Sequence, residues 1–517
     1  MRGLIERLPA NPDRAFYRAR GFVTVEPDGV SPGRANRPLV LAIDVGSSSV
    51  KGAVHDRLGR TIRGTAVHVS YDWNTASDGS VRISHRTLID VLDRALDELH
   101  ATAGSLGQDV VAGGIACFIH SIVGLDDAGR PVTPVLSWAD TTSAGEAAAL
   151  RKRVDAAALH ATTGAPIHAG YWPARVLRLR QEQPSIRRWA GLPELVAENL
   201  TGRPVVSRSM ASGTGLLDRA RGVWAEGLLE DLRIAPAELP RLIGDDEPIG
   251  RLRGAAAERW PRFAEFDWFA PWGDGGCGNV GLGATGKGKA ALMVGTSGAL
   301  RAVVAEAAPA IPMGLFAQRL GPGAVVGGQL SEGGGTLSWA STLLRRSRAG
   351  LERGAAALEP DGHGLTVLPY TFGERGLGYH DDARGAVVGL NPGTDAAAIY
   401  RAMLESIAAS FAVVDDQLAD VLGGPPEIVA SGGALAYSPL LTQVLADSLG
   451  RDIRVALGVE SSRRGAALLA LQRSGHLTDL GDVPAPATRT IHADPDLIDR
   501  YRAARARRDA LYGSVVT

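Results

Sequence analysis

The sequence predicts an α/β fold with mixed sheets, organised as two related lobes. Short apolar runs that end in Gly and Ser residues alternate with segments of helical periodicity through both halves of the chain. One strand-turn-strand pattern occurs twice, as GSSSVKGAV at 46–54 and as GTSGALRAV at 295–303. The 517 residues, 45% of them hydrophobic, suffice for two lobes of about 250 residues, although length alone also fits three domains of about 150 residues.

The first copy of this pattern lies in the stretch LVLAIDVGSSSVKGAV at 39–54. An apolar run leads into Asp44, a Gly-Ser-Ser-Ser turn follows, and Lys51 opens a second apolar run. Short apolar runs bounded by small turn residues are typical of strands. The stretch therefore predicts a buried strand, a tight turn and a returning strand.

The turn of this hairpin has the chemistry of a phosphate and metal site. Gly46 lets a ligand approach the backbone, and the hydroxyl and amide groups of Ser47 and Ser48 can form a concave nest for an anion. Asp44, at the strand end, is a hard oxygen ligand suited to hydrated Mg²⁺, and Lys51 is a point charge for phosphate.

The second copy supports this interpretation. Gly295, Thr296 and Ser297 occupy the corresponding turn behind the apolar run 290–294. A single Gly/Ser turn between strands is commonly only a structural connection. Two turns of one design in the two halves of a chain indicate two lobes that hold one phosphorylated ligand.

The other elements follow in chain order. Residues 86–103 place their apolar side chains on one face at helical spacing, and Gly104 ends that helix. Further strands are predicted at 50–56, 61–69, 110–118, 427–430 and 453–456, and further helices at 396–422, 439–449 and 462–473. Residues 1–37 contain turn-forming pieces and are predicted to be a loosely packed surface extension.

Composition excludes several classes of function. The formal net charge of −1 gives no field that would attract nucleic acid or an anionic membrane. The sequence has no apolar run near 18 residues and no signal peptide. Cys117 and Cys277 have no metal-ligand spacing, which favours a reduced, cytoplasmic setting and leaves a single disulfide open.

Asp274 is the candidate catalytic base. It stands in WGDGG at 272–276, where the flanking glycines leave room for a substrate. Phosphoryl transfer needs a carboxylate that accepts the proton of the attacking hydroxyl. An ordinary Asp-Gly turn is the alternative that sequence chemistry alone leaves open.

Other known phosphate-binding and catalytic motifs are incomplete or absent in the sequence. The stretch GLGATGK at 281–287 begins like a Walker loop, but Gly288 replaces the Ser or Thr that would bind Mg²⁺, so a solvated connection between lobes is predicted. The chain has no Gly-x-Ser-x-Gly elbow and no His-x-x-x-His pair, which argues against hydrolases and metalloproteases.

A further nucleotide candidate lies between the strand from 427 and the helix from 439. Gly432, Gly433 and Ala434 stand at a strand-to-helix junction that suits a planar ring or a phosphate near the positive end of a helix. Gly333, Gly334 and Gly335, before another helical segment, are predicted to form a neighbouring wall.

The ordered motifs resemble the FGGY carbohydrate kinases from about residue 39 to the end. The matching segments are DVGSSSVK (44–51), HSIVGLDDAGRPVTPVLSWAD (120–140), TGAPIH (163–168), SMASGTGLLD (209–218), GDGG (273–276), VGTSG (294–298), LSEGG (330–334), GER (373–375) and ASGGALAYSP (430–439). Within the family the chain is most similar to the gluconokinase-type branch.

The resemblance implies two actin-like, ribonuclease H-like lobes with the active site in the cleft between them. It implies ATP and Mg²⁺ as cofactors. Residues 38–286 would form the N-terminal lobe, which binds sugar and phosphate and carries the catalytic Asp, and residues 287–517 the nucleotide-binding C-terminal lobe.

The resemblance also implies roles for individual residues. Asp44 would bind Mg²⁺ through water, and Asp274 would deprotonate the sugar hydroxyl. The residues that serve the phosphates would be Gly46, Ser47, Ser48, Lys51, Gly295, Thr296 and Ser297. The residues that shape the adenosine pocket would be Gly334, Gly335, Gly432, Gly433 and Ala434.

Three residues fall in the segment that contacts sugar in the first lobe. His120 and Trp138 are implied sugar contacts, with core packing as the alternative for each. Asp140 can bind a sugar diol through two hydrogen bonds. His168 is more simply interpreted as a structural residue.

The chain departs from the family pattern on the sugar side. Thr142 stands where the family usually has an arginine, Ser207 where it has an aspartate, and Tyr379 where a tryptophan follows GER. An arginine fork would suit the carboxylate of a sugar acid, so its loss weakens the prediction of gluconate as substrate.

We therefore predict a cytoplasmic, ATP-dependent kinase that phosphorylates a hydroxyl of a sugar, a gluconate-like sugar acid or a polyol. The expected partner is a small-molecule carbohydrate, with no nucleic acid or membrane, and a homodimer is left open. The alternatives are a catalytically silent relative that acts as a nucleotide or sugar sensor, and an actin-like ATPase of the heat-shock chaperone type.

Overall fold

The computed structural model of the chain describes residues 29–371 and 373–516. Its strands are β1 (Leu39–Val45), β2 (Ser49–His55), β3 (Val67–Ser70), β4 (Asn74–Thr75), β5 (Val81–Ile83), β6 (Val110–Cys117), β7 (Val123–Leu125), β8 (Val135–Leu136), β9 (Arg188–Ala190), β10 (Val205–Ser207), β11 (Leu217–Asp218), β12 (Val223–Trp224), β13 (Arg241–Ile243), β14 (Pro248–Gly250), β15 (Asp267–Phe269), β16 (Trp272–Gly273), β17 (Lys289–Val294), β18 (Gly298–Val304), β19 (Phe316–Leu320), β20 (Gly323–Leu330), β21 (Thr366–Leu368), β22 (Ala386–Val388), β23 (Glu427–Ser431), β24 (Ile453–Ala456) and β25 (Thr488–Ile491).

The α-helices alternate with these strands. They are α1 (His85–Ala103), α2 (Ala144–Arg151), α3 (Ala156–Thr163), α4 (Trp172–Glu182), α5 (Leu192–Thr201), α6 (Arg208–Ser212), α7 (Glu226–Leu232), α8 (Ala255–Arg259), α9 (Asp274–Leu282), α10 (Gly334–Leu343), α11 (Arg348–Ala356), α12 (Ala396–Leu422), α13 (Gly433–Tyr437), α14 (Pro439–Leu449), α15 (Ser461–Arg473) and α16 (Ile498–Val515).

Two seven-stranded mixed sheets form the centres of two lobes. The strand order is β14-β15-β6-β1-β2-β3 in the first, with β16 also beside β6, and β19-β20-β18-β17-β23-β24-β25 in the second. In each sheet an antiparallel hairpin is extended by an antiparallel strand on one side and by two parallel strands on the other. The prediction of two related lobes with mixed sheets is confirmed.

Both predicted hairpins form where the apolar runs place them. β1 pairs with β2 so that Asp44 lies opposite Lys51, and β17 pairs with β18. The residues of β1 are almost all buried, as expected for a strand covered on both faces. The hairpins therefore bring the two Gly/Ser turns to the ends of the two central strands.

The long helices also end at the predicted residues. Helices α12 and α14 have the predicted bounds, and Gly423 and Gly450 adopt the left-handed conformation that ends them. Among the described residues, α12 alone is long and apolar enough to cross a membrane, but 83% of its most apolar window is buried inside the protein. Helix α12 is thus the core helix of the second lobe.

Helix α15 joins the two lobes. It follows β24 of the second sheet, yet it packs on β1, β6 and α9 in the first lobe. Residues of this helix share an apolar cluster with Val40, Cys277 and Phe316, which come from both lobes. Both cysteines are free and buried.

Three expectations differ from the structure. The strand predicted at 61–69 begins only at Val67, because residues 63 and 64 form a turn. The stretch 281–287 is not wholly a solvated connection, because Gly281 and Leu282 are the buried end of α9. Residues 1–28 of the predicted extension lie outside the described residues, and Val30 is attached to the first lobe by backbone hydrogen bonds of 2.9 Å to Thr61 and Arg63.

Candidate active site

The first predicted phosphate turn joins β1 to β2. The carbonyl of Gly46 accepts a hydrogen bond from the Tyr71 hydroxyl (2.5 Å), and the carbonyl of Ser47 accepts one from Trp73 Nε1 (2.6 Å). Within the described ranges, the backbone amides of Ser47 and Ser48 have no acceptor. The turn therefore offers free amide donors, which an anion site requires.

Asp44 lies at the end of β1 beside this turn. Its Oδ1 is buried and has no hydrogen-bond partner in the part of the chain that the structure describes. Burial, and then the nearby Asp274, raise the pKa of Asp44 to about 7, while Lys51 opposes the rise. A divalent cation would compensate both an orphaned carboxylate oxygen and a second nearby carboxylate, so these residues fit a Mg²⁺ site.

Lys51 links the two lobes. Its Nζ lies 2.7 Å from Oε2 of Glu460, the residue immediately before α15. Both residues, with Asp44, Gly432 and Gly433, line a cavity of about 1510 Å³. This cavity joins the first turn to the predicted adenosine segment.

The second phosphate turn packs against the predicted glycine wall. The amide of Gly334 donates to the carbonyl of Gly295 at 2.8 Å, and that of Gly335 to the carbonyl of Thr296 at 2.9 Å. A Cβ atom at Gly334 would lie 2.8 Å from the Gly295 oxygen, which is too close for a side chain. Glycine is therefore required where α10 begins.

The predicted adenosine segment lies next to this turn. Gly432 has a φ of +116°, and a side chain there would collide with the backbone of Val294, the last residue of β17. Gly433 and Ala434 begin α13, and a Cβ at Gly334 would lie 3.3 Å from that of Ala434. The structure thus brings the three predicted nucleotide segments of the second lobe together.

Asp274 is the first residue of α9 and not part of an isolated turn. Its Oδ1 accepts a hydrogen bond from the Gly275 amide at 2.8 Å. Burial raises the pKa of Asp274, and Arg301 followed by Arg375 act in the opposite direction. The helix N-terminus and the two guanidinium groups all favour the ionised carboxylate, whereas burial favours the neutral acid.

Arg301 on β18 faces the N-terminus of α9 across the lobe interface. A side chain at Gly275 would collide with its guanidinium group, which therefore lies against the backbone next to Asp274. Its Nη2 contacts Met293 Sδ at 2.8 Å, and its buried Nε has no partner among the described residues. This cation is available to an anionic ligand beside the predicted base.

His120 stands at the end of the first lobe's sheet with a φ of +72°. Its Nδ1 lies 2.7 Å from the carbonyl of Gly213, and its ring lies 4.5 Å from that of Tyr171. Burial, then Arg375 and Arg175, hold the pKa of His120 well below its usual range. Since Nδ1 must donate to the carbonyl, the neutral ring keeps Nε2 as an acceptor.

Trp138 and Asp140 have different surroundings. The guanidinium carbon of Arg375 lies 4.3 Å from the centre of the Trp138 ring. The Asp140 carboxylate accepts four hydrogen bonds, from the Val81 amide, Arg82 Nε, and the amide and hydroxyl of Thr142. A carboxylate has about four acceptor sites, so the predicted sugar contact of Asp140 is not supported by this geometry.

The departures from the family pattern have local explanations. Arg82 also bonds to the Thr142 hydroxyl at 3.1 Å, so the Thr142 side chain belongs to the network that holds Asp140. Ser207 caps α6 through the Met210 amide (3.2 Å) and donates to the Pro271 carbonyl (2.7 Å), a bond that an ionised aspartate could not donate.

The loop 373–381 of the second lobe contacts the first lobe. Asp381 Oδ1 lies 3.0 Å from His168 Nε2 and accepts the Ala169 amide at 3.0 Å, while Arg151 lies 3.4 Å from Oδ2. Tyr379, in the same loop, packs edge-on against His168 at 6.1 Å. His168 therefore belongs to a contact between lobes.

Sequence reasoning missed several of these groups, of which Arg175 is an example. This fully buried arginine donates to the carbonyls of Ala169, His120, Ser137 and Asp140 at 2.5–3.1 Å. It thereby holds the segments that carry His120 and Trp138. Its place on the apolar face of α4, between Trp172 and Leu179, was the available indication.

Comparison with known proteins gives a consistent result. The N-terminal domain model of the FGGY family of carbohydrate kinases matches residues 39–263, and the C-terminal domain model matches residues 290–473. The chain is 25% identical to a gluconokinase of Bacillus subtilis (strain 168) over 90% of this chain and 93% of that protein. It is 26% identical to a xylulose kinase of Lactococcus lactis over 83% and 87% of the two chains.

A solved structure agrees with the architecture. The crystal structure of gluconate kinase from Lactobacillus acidophilus superposes with a TM-score of 0.84 at 23% identity, covering 93% of this chain and 98% of that one. This likeness supports the two-lobed fold.

Proposed function

Because the chain belongs to the FGGY family of carbohydrate kinases, we propose that it transfers the γ-phosphoryl group of ATP to a hydroxyl of a sugar, sugar acid or polyol bound between its lobes. The chain is an ATP-dependent sugar kinase, and its acceptor is a small carbohydrate. The observation that carries the mechanism is Asp274 at the N-terminus of α9, between the first lobe and two cations of the second.

In this mechanism Asp274 accepts the proton of the attacking hydroxyl. A carboxylate can do so only while ionised, and Arg301, Arg375 and the helix N-terminus favour that state. Arg301 is also placed to stabilise negative charge on the group in transfer, because its guanidinium lies beside Asp274 and no carboxylate of the described residues is bonded to it.

The nucleotide phosphates bind the two Gly/Ser turns. The free amides of Ser47 and Ser48 and the ammonium group of Lys51 contact them from the first lobe, and residues 295–297 from the second. Asp44 would hold Mg²⁺, which when bound neutralises negative charge on the phosphates. Lys51 exchanges Glu460 for phosphate when ATP binds.

The carbohydrate binds on the other side of Asp274. His120 offers a neutral Nε2 as acceptor for a hydroxyl, and Trp138 offers an apolar ring face. Asp140 acts on the carbohydrate site indirectly, by holding the loop around it, since its carboxylate oxygens already accept hydrogen bonds from the amides of Val81 and Thr142.

The proposal is tested by ADP release with ATP and Mg²⁺ across gluconate, other sugar acids, ketoses, aldoses and polyols. We expect turnover with at least one compound and a loss of at least about 10²-fold in Asp274→Ala, the lower end for a catalytic base. Asp420→Ala, at an exposed site on α12, is the matched control and should keep wild-type activity. Near-normal turnover in Asp274→Ala would remove it as the base. If no compound of the panel supports ADP release although ATP still binds, the alternative of a catalytically silent nucleotide or sugar sensor is favoured.

A further inference from the structure

Arg375 is a partly buried cation without a counter-ion among the described residues. Its Nε is shielded from solvent and has no hydrogen-bond partner among the described residues, and no salt bridge within those residues includes its guanidinium group. Within the part of the chain that the structure describes, its close partner is the ring of Trp138, at 4.3 Å. A guanidinium group has five donors, so this contact leaves its hydrogen-bonding capacity unused.

Three arginines that are buried more deeply, Arg175, Arg401 and Arg508, are each held by several hydrogen bonds. Arg175 donates to four carbonyls, and Arg401 pairs with Glu405 and Tyr501. Arg508 bonds to Ser406, Ser410 and Tyr370. An unpaired charge in a buried site opposes folding, and burial lowers the pKa of Arg375 accordingly. The difference from these structural arginines indicates a ligand.

The loop around Arg375 is held rigidly. Glu374 accepts the amides of Gly378 and His380, each at 3.2 Å, and the hydroxyl of Tyr512 on α16 at 2.8 Å. The backbone next to Arg375 is therefore fixed before any substrate arrives. A preorganised donor of this kind costs little to order on binding.

The groups near Arg375 do not supply an anion for it. The neighbours that act on its charge are the phenols Tyr171 and Tyr379 and, more weakly, the carboxylate of Asp274. Burial keeps both phenols neutral, and Asp274 is needed by the hydroxyl that reacts. The missing negative charge must come from the ligand.

We propose that Arg375 binds the carboxylate of a sugar acid, so that Arg375 and Asp274 engage two different groups of one substrate. This inference rests on the proposed kinase function. The planar guanidinium fork matches a carboxylate through two parallel hydrogen bonds, which a neutral sugar or polyol cannot reproduce. Thr142 in the first lobe stands where the family usually has an arginine. Arg375 would thus supply a guanidinium group from the second lobe instead.

The test compares sodium D-gluconate with its neutral amide, D-gluconamide, and with D-xylulose and glycerol. Binding is measured by calorimetry without ATP, and kcat and KM are measured with ATP and Mg²⁺. The variants are Arg375→Met and Arg375→Lys, with Arg353→Met on the exposed face of α11 as the control. We expect the wild type to bind gluconate at least about 10-fold more tightly than the amide, as a charge-assisted hydrogen-bond pair allows.

Each outcome has a separate meaning. Arg375→Met should abolish the preference for gluconate over the amide, Arg375→Lys should restore part of it, and the KM for ATP should stay unchanged. A wild type that binds the amide as well as gluconate, or a variant that keeps the preference, overturns the inference. So does an Arg375→Met variant with a raised KM for ATP and equal losses on acidic and neutral substrates. Asp274-dependent turnover of neutral sugars alone would overturn the inference and leave the proposed kinase function intact. Gluconate binding by Arg375 without any turnover would support the inference and contradict the proposed kinase function.

Discussion

His55 is a buried histidine that the fold keeps neutral. It ends β2, its Nδ1 lies 3.1 Å from the Gly59 carbonyl, and its buried Nε2 has no partner in the described part of the chain. Burial, and then Arg463, lower the pKa of His55 from 6.5 to about 3. The folded protein therefore resists a proton that the unfolded chain accepts readily.

The resulting pH dependence has a definite sign. Below pH 6.5 the unfolded chain binds a proton at His55 and the folded chain does not, so stability falls as pH falls toward 3. At pH 5 this group alone should cost about 2 kcal/mol relative to pH 8. Urea unfolding of wild type and His55→Gln at both pH values checks this, because only the wild type carries the loss. Parallel pH profiles would contradict it.

The positions of single residues were predictable where a local motif fixes the backbone. Asp44, Asp274 and the two turns stand in short Gly-rich patterns whose backbone requirements are local. Arg301 and Arg375 lie in short motifs too, at 295–303 and 373–375, but their partners come from segments far away in the chain, as does the partner of Glu460. The pairing of Lys51 with Glu460 spans 409 residues. Sequence spacing cannot indicate a contact of that kind.

Among the elements, α9 and α15 pack unusually closely. A side chain at Gly281 would collide with the backbone of Ser461, and one at Gly465 with the backbone of Cys277. Glycines on both helices thus let two backbones meet directly beneath Asp274. Backbone atoms cannot move aside as a flexible side chain can, so this contact tolerates no added methyl group.

The variant Gly465→Ala should therefore be destabilised by about 1–3 kcal/mol, and its turnover should fall because α9 carries Asp274. Gly227→Ala, in α7 with nothing within 4 Å of the new Cβ, is the matched control. It should gain up to about 1 kcal/mol from reduced freedom of the unfolded chain. The melting temperatures of both variants are compared with that of the wild type. Equal changes in melting temperature would show that the contact between α9 and α15 does not cause the destabilisation.

Helix α16 supports the sugar side from a distance. Its Tyr512 donates to Glu374, which in turn orders the loop of Arg375. Tyr512→Phe should raise the KM for the carbohydrate by up to about tenfold, since a hydrogen bond to a charged group is lost, and should leave the KM for ATP unchanged. Ser514→Ala on the same helix is the control. A change in the KM for ATP instead would assign α16 to the nucleotide side.

Element boundaries were predictable where helix-ending glycines follow apolar periodicity, as at Gly423 and Gly450. They were less predictable where packing decides. The apolar pattern at 61–69 matches a strand, yet the sheet pairs it only from Val67. The glycines at 281–287 suggest a loop, whereas close contact with α15 makes Gly281 part of a helix.

At the scale of the whole molecule, the two lobes meet on both sides of Asp274. On the nucleotide side the contact is the ion pair of Lys51 with Glu460, whose side chains are 27% and 36% exposed. On the sugar side it is Asp381, whose side chain is only 4% exposed. Burial disfavours the ionised form, but hydrogen bonds from His168 and Ala169 hold the pKa of Asp381 below its usual range. The Asp381 contact is less screened by solvent than the more exposed ion pair of Lys51 with Glu460.

We predict that the lobes close over sugar and nucleotide, and that Asp381 holds the closed state. Closure expels water and aligns the hydroxyl with the γ-phosphoryl group. Small-angle scattering should show a smaller radius of gyration with a turnover-supporting sugar and a non-hydrolysable ATP analogue. Asp381→Asn leaves a weaker partner for His168 and Arg151. This variant should therefore compact less than the wild type and have a higher KM for the carbohydrate. The control Asp382→Asn, at the neighbouring residue, should behave as wild type. If the wild type does not compact, closure is excluded; if Asp381→Asn compacts fully, closure stands and Asp381 is not what holds it.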